Sequence, residues 1–158
     1  MAEFDRMPRA IEEALSGEAF RRRRRLVLPL LTTDPEGYPR SALLMLSEVR
    51  ATSARTLAVA VSAGSRTSMN LIRRRQATLL YLTRGVAASI HARAGRGRAC
   101  STDPDRQLFP LSIERVRLDR PRPGEGNVAL LTGPTFTGPG GRLFSEELFE
   151  ELGKVGSA

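Results

Sequence analysis

A short turn in the middle of the chain has the residue types that hold an anion. Gly64 is followed by Ser65, Arg66 and Thr67, and a segment with helical features comes directly after them. At a helix N-terminus the first backbone N–H groups are free, and the helix dipole favours negative charge. A serine hydroxyl and an arginine fork add charge-assisted hydrogen bonds. The turn therefore predicts a phosphate site, although such residues also serve as an ordinary helix cap.

Two strands and a helix are expected to position this turn. Thr56–Val61 alternates large and small side chains, which predicts a strand with one large apolar face. The other, small face comprises Thr56, Ala58, Ala60 and Ser62. Such a face admits either a closely packed helix or a flat ligand. A helix is predicted from its N-cap Ser65 to Arg75, and Ala77–Thr83 is predicted to be the next strand.

Four further strands are predicted from alternation and turn residues. Leu26–Thr33 and Tyr38–Val49 form a hairpin around an Asp-Pro-Glu-Gly turn, and Pro29 indicates a sheet edge or a bulge. The middle of the second strand, ALLML, is apolar on both faces, which predicts an outer face that meets a partner or a ligand. Ala88–Ser101 alternates as a half-exposed strand. Phe109–Leu118 changes phase part-way, which indicates a bulge or a bend.

Short helices are expected on either side of these strands, at Pro8–Ser16 and from Ser145 to Leu152. Six strands with few helices predict a mainly β, α+β chain built on a small antiparallel barrel. We expect a single domain over residues 1–158. It has an N-terminal helical segment at 1–25 and a C-terminal extension with a short helix at 122–158.

Composition restricts the possible functions. The 158 residues include one cysteine, Cys100, so an internal disulfide is excluded and a reducing, cytoplasmic setting is expected. No apolar run reaches the ~20 residues that span a bilayer, which predicts no membrane partner. One histidine, His91, and one cysteine without a carboxylate cluster predict no metal site. We expect His91 to be a structural or surface residue.

The net charge of +8 favours anionic partners, although Lys154 is the only lysine among 25 basic residues and so the arginines are individually weak clues. The run Arg21–Arg25 is compatible with nucleic-acid contact or with a solvated helix end. Aromatic residues make up only 5% of the chain and none interrupts the run, so there is no stacking platform. The solvated helix end is therefore favoured over nucleic-acid binding.

Several segments, in order, resemble the FMN-binding split-barrel proteins related to pyridoxamine 5'-phosphate oxidase. The resemblance rests on PRSALLMLSEV at Pro39–Val49 and on Leu57–Leu82, which contains the Ser-Arg turn. It continues more weakly through GRGRACS at Gly95–Ser101 and FPLSIERVRLDRP at Phe109–Pro121. The resemblance implies a six-stranded antiparallel split barrel with short flanking helices that forms a homodimer. It also implies two FMN sites at the subunit interface.

The same resemblance implies flavin contacts along one strand and phosphate contacts in the turn. The matching residues are Arg40, Ser41, Ala42, Leu43, Met45, Val61, Ser62, Ser65, Arg66 and Thr67. Ser89 or His91 would reach the flavin from the other subunit. Two residues depart from the pattern, because Thr67 stands where a lysine is frequent and Met45 where the oxidase has a basic residue. Losing both donors would weaken FMN binding by a few kcal/mol.

The sequence thus predicts an FMN-dependent oxidoreductase that acts on an unidentified small-molecule substrate. No catalytic residue is assigned. Pyridoxamine-phosphate oxidase activity itself is not expected, because the chain has no Trp and its C-terminal segment, FSEELFEELG, is acidic. Two alternatives remain. One is a non-catalytic barrel dimer that has lost the cofactor, and the other is a nucleic-acid-binding barrel that uses Arg21–Arg25.

Overall fold

The computed structural model of the chain describes residues 2–17, 22–23, 25–119, 124, 130–135 and 145–156. The strands in this part of the chain are β1 (Ala2–Phe4), β2 (Val27–Thr33), β3 (Pro39–Met45), β4 (Val49–Ser53), β5 (Thr56–Ser62), β6 (Gln76–Thr83), β7 (Val86–Ala94), β8 (Arg98–Ala99) and β9 (Arg106–Asp119). The helices are α1 (Arg9–Ala14), α2 (Arg66–Arg74) and α3 (Glu146–Leu152), with a 3-10 turn at Leu46–Glu48.

All the strands belong to one curled antiparallel sheet. Its order is β3-β2-β6-β7-β9-β5-β4, and the short strands β1 and β8 pair with β9. Strands β3 and β4 stand at opposite ends of this order, yet only the turn Leu46–Glu48 separates them along the chain. The described residues show no strand pairing between β3 and either β4 or β5. The sheet therefore does not close into a complete barrel. The unpaired gap between β3 and β5 is termed the seam.

The inside of the curl is apolar because alternate residues of each strand point inward. Fully buried members of this core include Leu28, Leu30, Leu57, Val59, Leu79, Ile90 and Phe109. Each such side chain contributes roughly 1.5–3 kcal/mol relative to an exposed one. The large apolar face predicted for β5 therefore faces the barrel core.

The small face of β5 is covered by the C-terminal helix α3. Ala58 and Ala60 are fully buried in a second apolar cluster, whose other members are Cys100, Leu108, Leu148, Leu152 and Val155. Arg50 holds the helix from one side, since its guanidinium lies 4.6 Å from the centroid of the Phe149 ring. Its Nη1 also donates to the Phe149 carbonyl at 3.0 Å. Helix packing, rather than a flat ligand, therefore explains the small face.

Two predicted strands are wrong in extent. Tyr38–Val49 is not one strand, because the chain leaves β3 after Met45, makes the 3-10 turn and begins β4 at Val49. The strand predicted at Ala88–Ser101 ends at Ala94, and only Arg98–Ala99 pairs again with β9. The structure therefore contains more strands than the six expected, because short segments such as Ala2–Phe4 pair with distant partners.

The edge position predicted from Pro29 is also wrong, because β2 lies between β3 and β6. Its ladder to β6 comprises only Leu30 and Leu31, so Pro29 lies just outside it and the missing N–H removes no bond there. The predicted irregularity in Phe109–Leu118 is confirmed as a bulge. Register places His91 opposite Arg115 and Ala92 opposite Ile113, which leaves Glu114 as the extra residue. Of the C-terminal extension predicted at 122–158, the structure describes residues 124, 130–135 and 145–156.

The helices that the structure describes are all too short, or too polar, to cross a membrane.

Candidate functional site

The Gly-Ser-Arg-Thr turn begins helix α2 as the sequence predicts. Gly64 takes a left-handed backbone conformation with φ of +69°, which a residue with a side chain rarely adopts. Ser65 is the N-cap, and its Oγ accepts a hydrogen bond from the Ser68 N–H at 3.2 Å. The Ser68 hydroxyl in turn donates to the Ser65 carbonyl at 2.8 Å. These bonds fix the turn and leave the Ser65 hydroxyl proton available to an outside acceptor.

Two backbone donors of this turn remain open. The N–H groups of Arg66 and Thr67 have no acceptor among the described residues, whereas those of Ser65 and Met69 are bonded to carbonyls. Free N–H groups in the first turn are expected of any α-helix. Thr67 is nevertheless buried, at 7% exposure, so its neighbourhood gives water little access. The turn therefore presents directed donors of the kind that can hold an anion.

The turn opens into a groove of about 340 Å³ that lies along the seam. This seam groove brings together seven of the ten predicted flavin residues: Ala42, Leu43, Met45, Val61, Ser62, Ser65 and Thr67. Arg40 and Arg66 line a second groove of about 490 Å³, together with Met69 and Arg73 of α2. Ser41 lies exposed on β3, outside both grooves.

An ion pair lies in the wall of the seam groove. Arg106 begins β9 opposite Ser62, and its Nη2 lies 2.6 Å from Glu48 Oε1. The other carboxylate oxygen of Glu48 accepts the Met45 N–H at 2.8 Å. Glu48 is 6% exposed, and this burial raises the pKa of its carboxyl against the opposing effects of the Met45 N–H and Arg106. The pair closes the end of the groove next to the 3-10 turn.

Sequence reasoning missed both Glu48 and Arg106. The sequence showed only that a cation is missing at Met45, where the family resemblance implies a basic residue. The structure supplies a cation to the same groove from Arg106, 61 positions further along the chain. Only the register of β5 on β9 brings Arg106 there, since Ser62 pairs with it. Alternation within one strand cannot reveal that partner.

A second buried carboxylate lies on the far side of β5. Glu151 of α3 is 6% exposed, and it accepts the backbone N–H groups of Ser101 and Thr102 at 2.8 and 3.2 Å. It also accepts three side-chain donors: Arg98 at 2.8 Å, Cys100 at 3.1 Å and the Thr102 hydroxyl at 3.0 Å. Burial alone would raise the pKa of Glu151, but these donors together hold it far below its usual range.

The two residues considered as contacts from another subunit lie outside the seam groove of their own chain. His91 is half-buried on the outer face of β7, and its Nδ1 is 3.2 Å from the Thr78 hydroxyl. Burial lowers the pKa of His91, and the nearby charges of Arg117 and Arg115 add to that effect. Ser89 shares this outer face, two residues earlier in the strand. Elsewhere in the described residues, no three His, Cys, Asp or Glu side chains gather as a metal-ligating group.

Comparison with solved structures identifies this architecture. The chain is similar to a pyridoxamine 5'-phosphate oxidase-like protein from Lactobacillus delbrueckii, with a TM-score of 0.55 and 16% identity over 74% of this chain and 99% of that one. The chain described here therefore has the split-barrel fold. An FMN-binding protein from Syntrophomonas wolfei matches with a TM-score of 0.54 and 10% identity, over 72% of this chain and 91% of that one.

A third solved structure belongs to the same group of folds. It is a homolog of nitrilotriacetate monooxygenase component B from Mycobacterium thermoresistibile, with a TM-score of 0.51 and 10% identity over 62% of this chain and 71% of that one. No family model and no curated protein matches the sequence. The predicted resemblance is thus confirmed for the split-barrel fold, at identities where the fold alone is shared.

Proposed function

We propose that this chain is an FMN-binding split-barrel flavoprotein that acts as an oxidoreductase on a small molecule. The observation that carries the proposal is the pair of free N–H groups on Arg66 and Thr67, at a helix N-terminus that opens into the seam groove. A flavin phosphate needs such donors, and the apolar part of the flavin needs the adjacent wall of β3. The FMN-binding protein with the same fold supports the choice of anion.

The residues present fit this cofactor. The Ser65 hydroxyl, the Arg66 side chain and the two free N–H groups would hold the phosphate. The backbone of β3 from Ala42 to Met45, with Val61 opposite, would line the ring. Bound FMN would supply the redox chemistry, so the protein needs only to orient it and adjust its charge. Arg106 would provide the positive charge that Met45 lacks, and Glu48 fixes the position of its guanidinium.

We further propose that the protein is a homodimer. Leu43 is 65% exposed on the outer face of β3, although it is a large apolar residue. Register places it beside Pro29 of β2, and Leu31, Leu80 and Leu82 on the same outer face are only half-buried. A continuous apolar face of this kind favours a protein partner. A second copy of this chain would cover this apolar face beside the seam groove.

The free thiol of Cys100 suits a reducing compartment, and we propose that the protein acts in the cytoplasm.

A flavin titration tests the proposal. Purified protein, stripped of any bound flavin, should quench FMN fluorescence with a single saturable site in each chain. Arg66→Gln should weaken FMN binding at least tenfold, because one charge-assisted contact to the phosphate is lost. Arg96→Gln removes an equal charge from an exposed position outside the grooves and should leave the affinity unchanged.

The departure at residue 67 gives a gain-of-function arm. Thr67→Lys should tighten FMN binding several-fold, because it restores a cation beside the phosphate donors. Riboflavin, which lacks the phosphate, should show no such gain. Absence of FMN binding in the wild-type chain at high micromolar concentration, with a stable dimer in sedimentation, would favour the barrel that has lost its cofactor.

A further inference from the structure

Another concave surface shares no residue with the seam groove and is lined by four arginines. This cavity of about 540 Å³ is bordered by Arg22, Arg23, Arg25 and Arg84, with apolar walls from Leu26 and Leu131. We propose that this arginine cavity binds an organic diphosphate, such as a nucleoside diphosphate, in addition to the proposed flavin.

The charge of the cavity is not neutralised within the described residues. None of its four arginines has a carboxylate partner there, and no acidic side chain lines the space. Most other arginines of the sheet surface are paired, as Arg93 is with Glu114 at 2.9 Å and Arg117 is with Glu3 at 3.1 Å. Four like charges around one concavity repel one another and focus a positive potential there. An anion bound among them relieves that repulsion.

The walls of the cavity are held by backbone contacts rather than left to the arginines. The segment 130–135 is anchored at two points, because Val27 N–H donates to the Pro134 carbonyl and Gly85 N–H to the Leu130 carbonyl, each at 2.9 Å. Between them, Gly133 lies so close to β6 that a Cβ atom would stand 1.7 Å from the Leu82 carbonyl oxygen. Only glycine fits that position. The segment therefore crosses the barrel end in one fixed path.

A hydrogen bond to a buried tyrosine positions one of the four arginines, Arg23. The Tyr81 ring is buried, and its hydroxyl accepts from Arg23 Nη1 at 2.6 Å. This bond leaves the remaining N–H groups of that guanidinium for a ligand. Arg84 lines the same cavity from the turn between β6 and β7. Several guanidinium groups around one cavity suit two linked phosphates, since each fork binds phosphate oxygens in a bidentate manner.

The apolar wall distinguishes a nucleotide from a nucleic acid. Leu131 is 84% exposed at the rim of the cavity, which is unusual for so large an apolar side chain beside four arginines. A ligand with an apolar base beside its phosphates would cover it. The volume is in the range of small-molecule sites, about 300–1,000 Å³. A long nucleic acid would instead need a basic stripe with aromatic platforms, which these residues do not form.

Calorimetric titration of the full chain with ADP, and separately with inorganic pyrophosphate, tests the proposal. Both should bind, ADP more tightly. The double variant Arg25→Gln/Arg84→Gln should raise the Kd of both ligands at least tenfold, since each lost contact is a charge-assisted hydrogen bond. The matched variant Arg9→Gln/Arg96→Gln removes the same charge elsewhere and should leave both Kd values nearly unchanged. Leu131→Ser should weaken ADP binding and leave pyrophosphate binding as it was.

The proposal fails if neither ligand binds at millimolar concentration, or if the double variant binds as well as the wild type. Binding of only a single-stranded oligonucleotide, with steep salt dependence, would replace it with nucleic-acid recognition. Single Arg84→Gln, in an exposed turn, serves if the double variant melts early. The two sites are separable, because Arg66→Gln should keep ADP binding while Arg25→Gln/Arg84→Gln should keep FMN binding.

Discussion

Two buried glutamates stand on opposite sides of β5, and their environments give them opposite properties. Glu48 and Glu151 are equally buried, at 6% exposure, and each contacts one arginine. Glu151 has four further donors, two from backbone N–H groups, whereas Glu48 has only the Met45 N–H. Burial therefore prevails at Glu48, where the pKa is raised, and hydrogen bonding prevails at Glu151, where the pKa is lowered.

The number of donors thus separates a structural carboxylate from a responsive one. Glu151 fastens α3 to the loop after β8, and it does not line the seam groove. Glu48 lies in the wall of the seam groove, where a change of charge reaches whatever the groove binds. A raised pKa in the wall of a groove is typical of functional carboxylates.

Removing the charge at Glu151 should have the largest effect on stability. Glu151→Gln weakens five acceptor contacts and presents an amide NH₂ to backbone donors, so the free energy of unfolding should fall by about 2–4 kcal/mol. Urea denaturation measures this loss. Glu150→Gln, at the exposed neighbouring position on α3, is the control and should cost less than about 1 kcal/mol.

This effect should depend on pH in a defined direction. Because the pKa of Glu151 is lowered on folding, its contribution is complete above its ordinary pKa of 4.5 and is lost as the pH falls toward the folded value. The difference between wild type and Glu151→Gln should therefore shrink in acid. A constant difference down to acid pH would show that packing, not charge, accounts for it.

Arg106→Gln should have the next largest effect, and its cost should also diminish in acid. Without the guanidinium, Glu48 is left buried with one backbone donor, so unfolding at neutral pH should become easier by about 1–3 kcal/mol. Protonation of Glu48 relieves the cost, so the loss should diminish as the pH is lowered. Denaturation at neutral and mildly acid pH measures both values, with the exposed, ion-paired Arg93→Gln as control.

Cys100→Ala should have a smaller effect. It removes one of the five donors to Glu151 and a little packing beside Ala58 and Ala60, which amounts to about 1 kcal/mol. The pKa of Glu151 should remain low, because the backbone and arginine donors are untouched. Carboxyl chemical shifts followed by NMR through acid pH would check this. A large rise of the pKa would mean that the thiol, not the backbone, controls the charge.

Glu48→Gln should change stability least at neutral pH, and it should do so in the stabilising direction. The folded pKa of Glu48 lies above the unfolded one, so its contribution is present at low pH and is lost as the pH rises through the folded value. The glutamine amide has nearly the shape of the carboxyl group and carries no charge, so the variant does not lose stability as the pH rises. In thermal melts from mildly acid to mildly alkaline pH, the Tm of the variant should rise relative to that of the wild type. Parallel curves would show that the buried charge of Glu48 carries no such cost.

Local patterns predicted the individual elements well, for particular physical reasons. Ser65 and Ser145 are N-caps as expected, because capping depends on bonds within one turn. The bulge at Glu114 was visible because it shifts the alternation of one strand. The seven predicted flavin residues that meet in the seam groove come from segments that the family resemblance placed in order.

What the sequence could not reveal depends on distant pairing. Nothing near Arg106 in the sequence indicates Glu48, and nothing near Arg84 indicates Arg25, because the two residues of each pair lie far apart along the chain and meet only in the folded structure. The break after Met45 was missed because apolar residues continue with Leu46 and Val49, whereas the break after Ala94 coincides with the Gly-Arg-Gly-Arg segment at 95–98. The assignment of Arg21–Arg25 to a solvated helix end overlooked a cavity that forms only when the segment 130–135 crosses beside it; Arg21 and Arg24 lie outside the described residues.

The seam has a consequence for colloidal behaviour. Strand β3 pairs only with β2 in the described sheet, so its other edge offers bare backbone groups of the kind on which foreign strands add. Pro39, which lacks an N–H, and the charged Arg40 protect the start of this edge, and Glu48 occupies the Met45 N–H at its end. The middle of β3 has no such protection, and this part of the strand lines the seam groove. The ligand-free protein should therefore aggregate more readily, because a bound ligand would cover this edge.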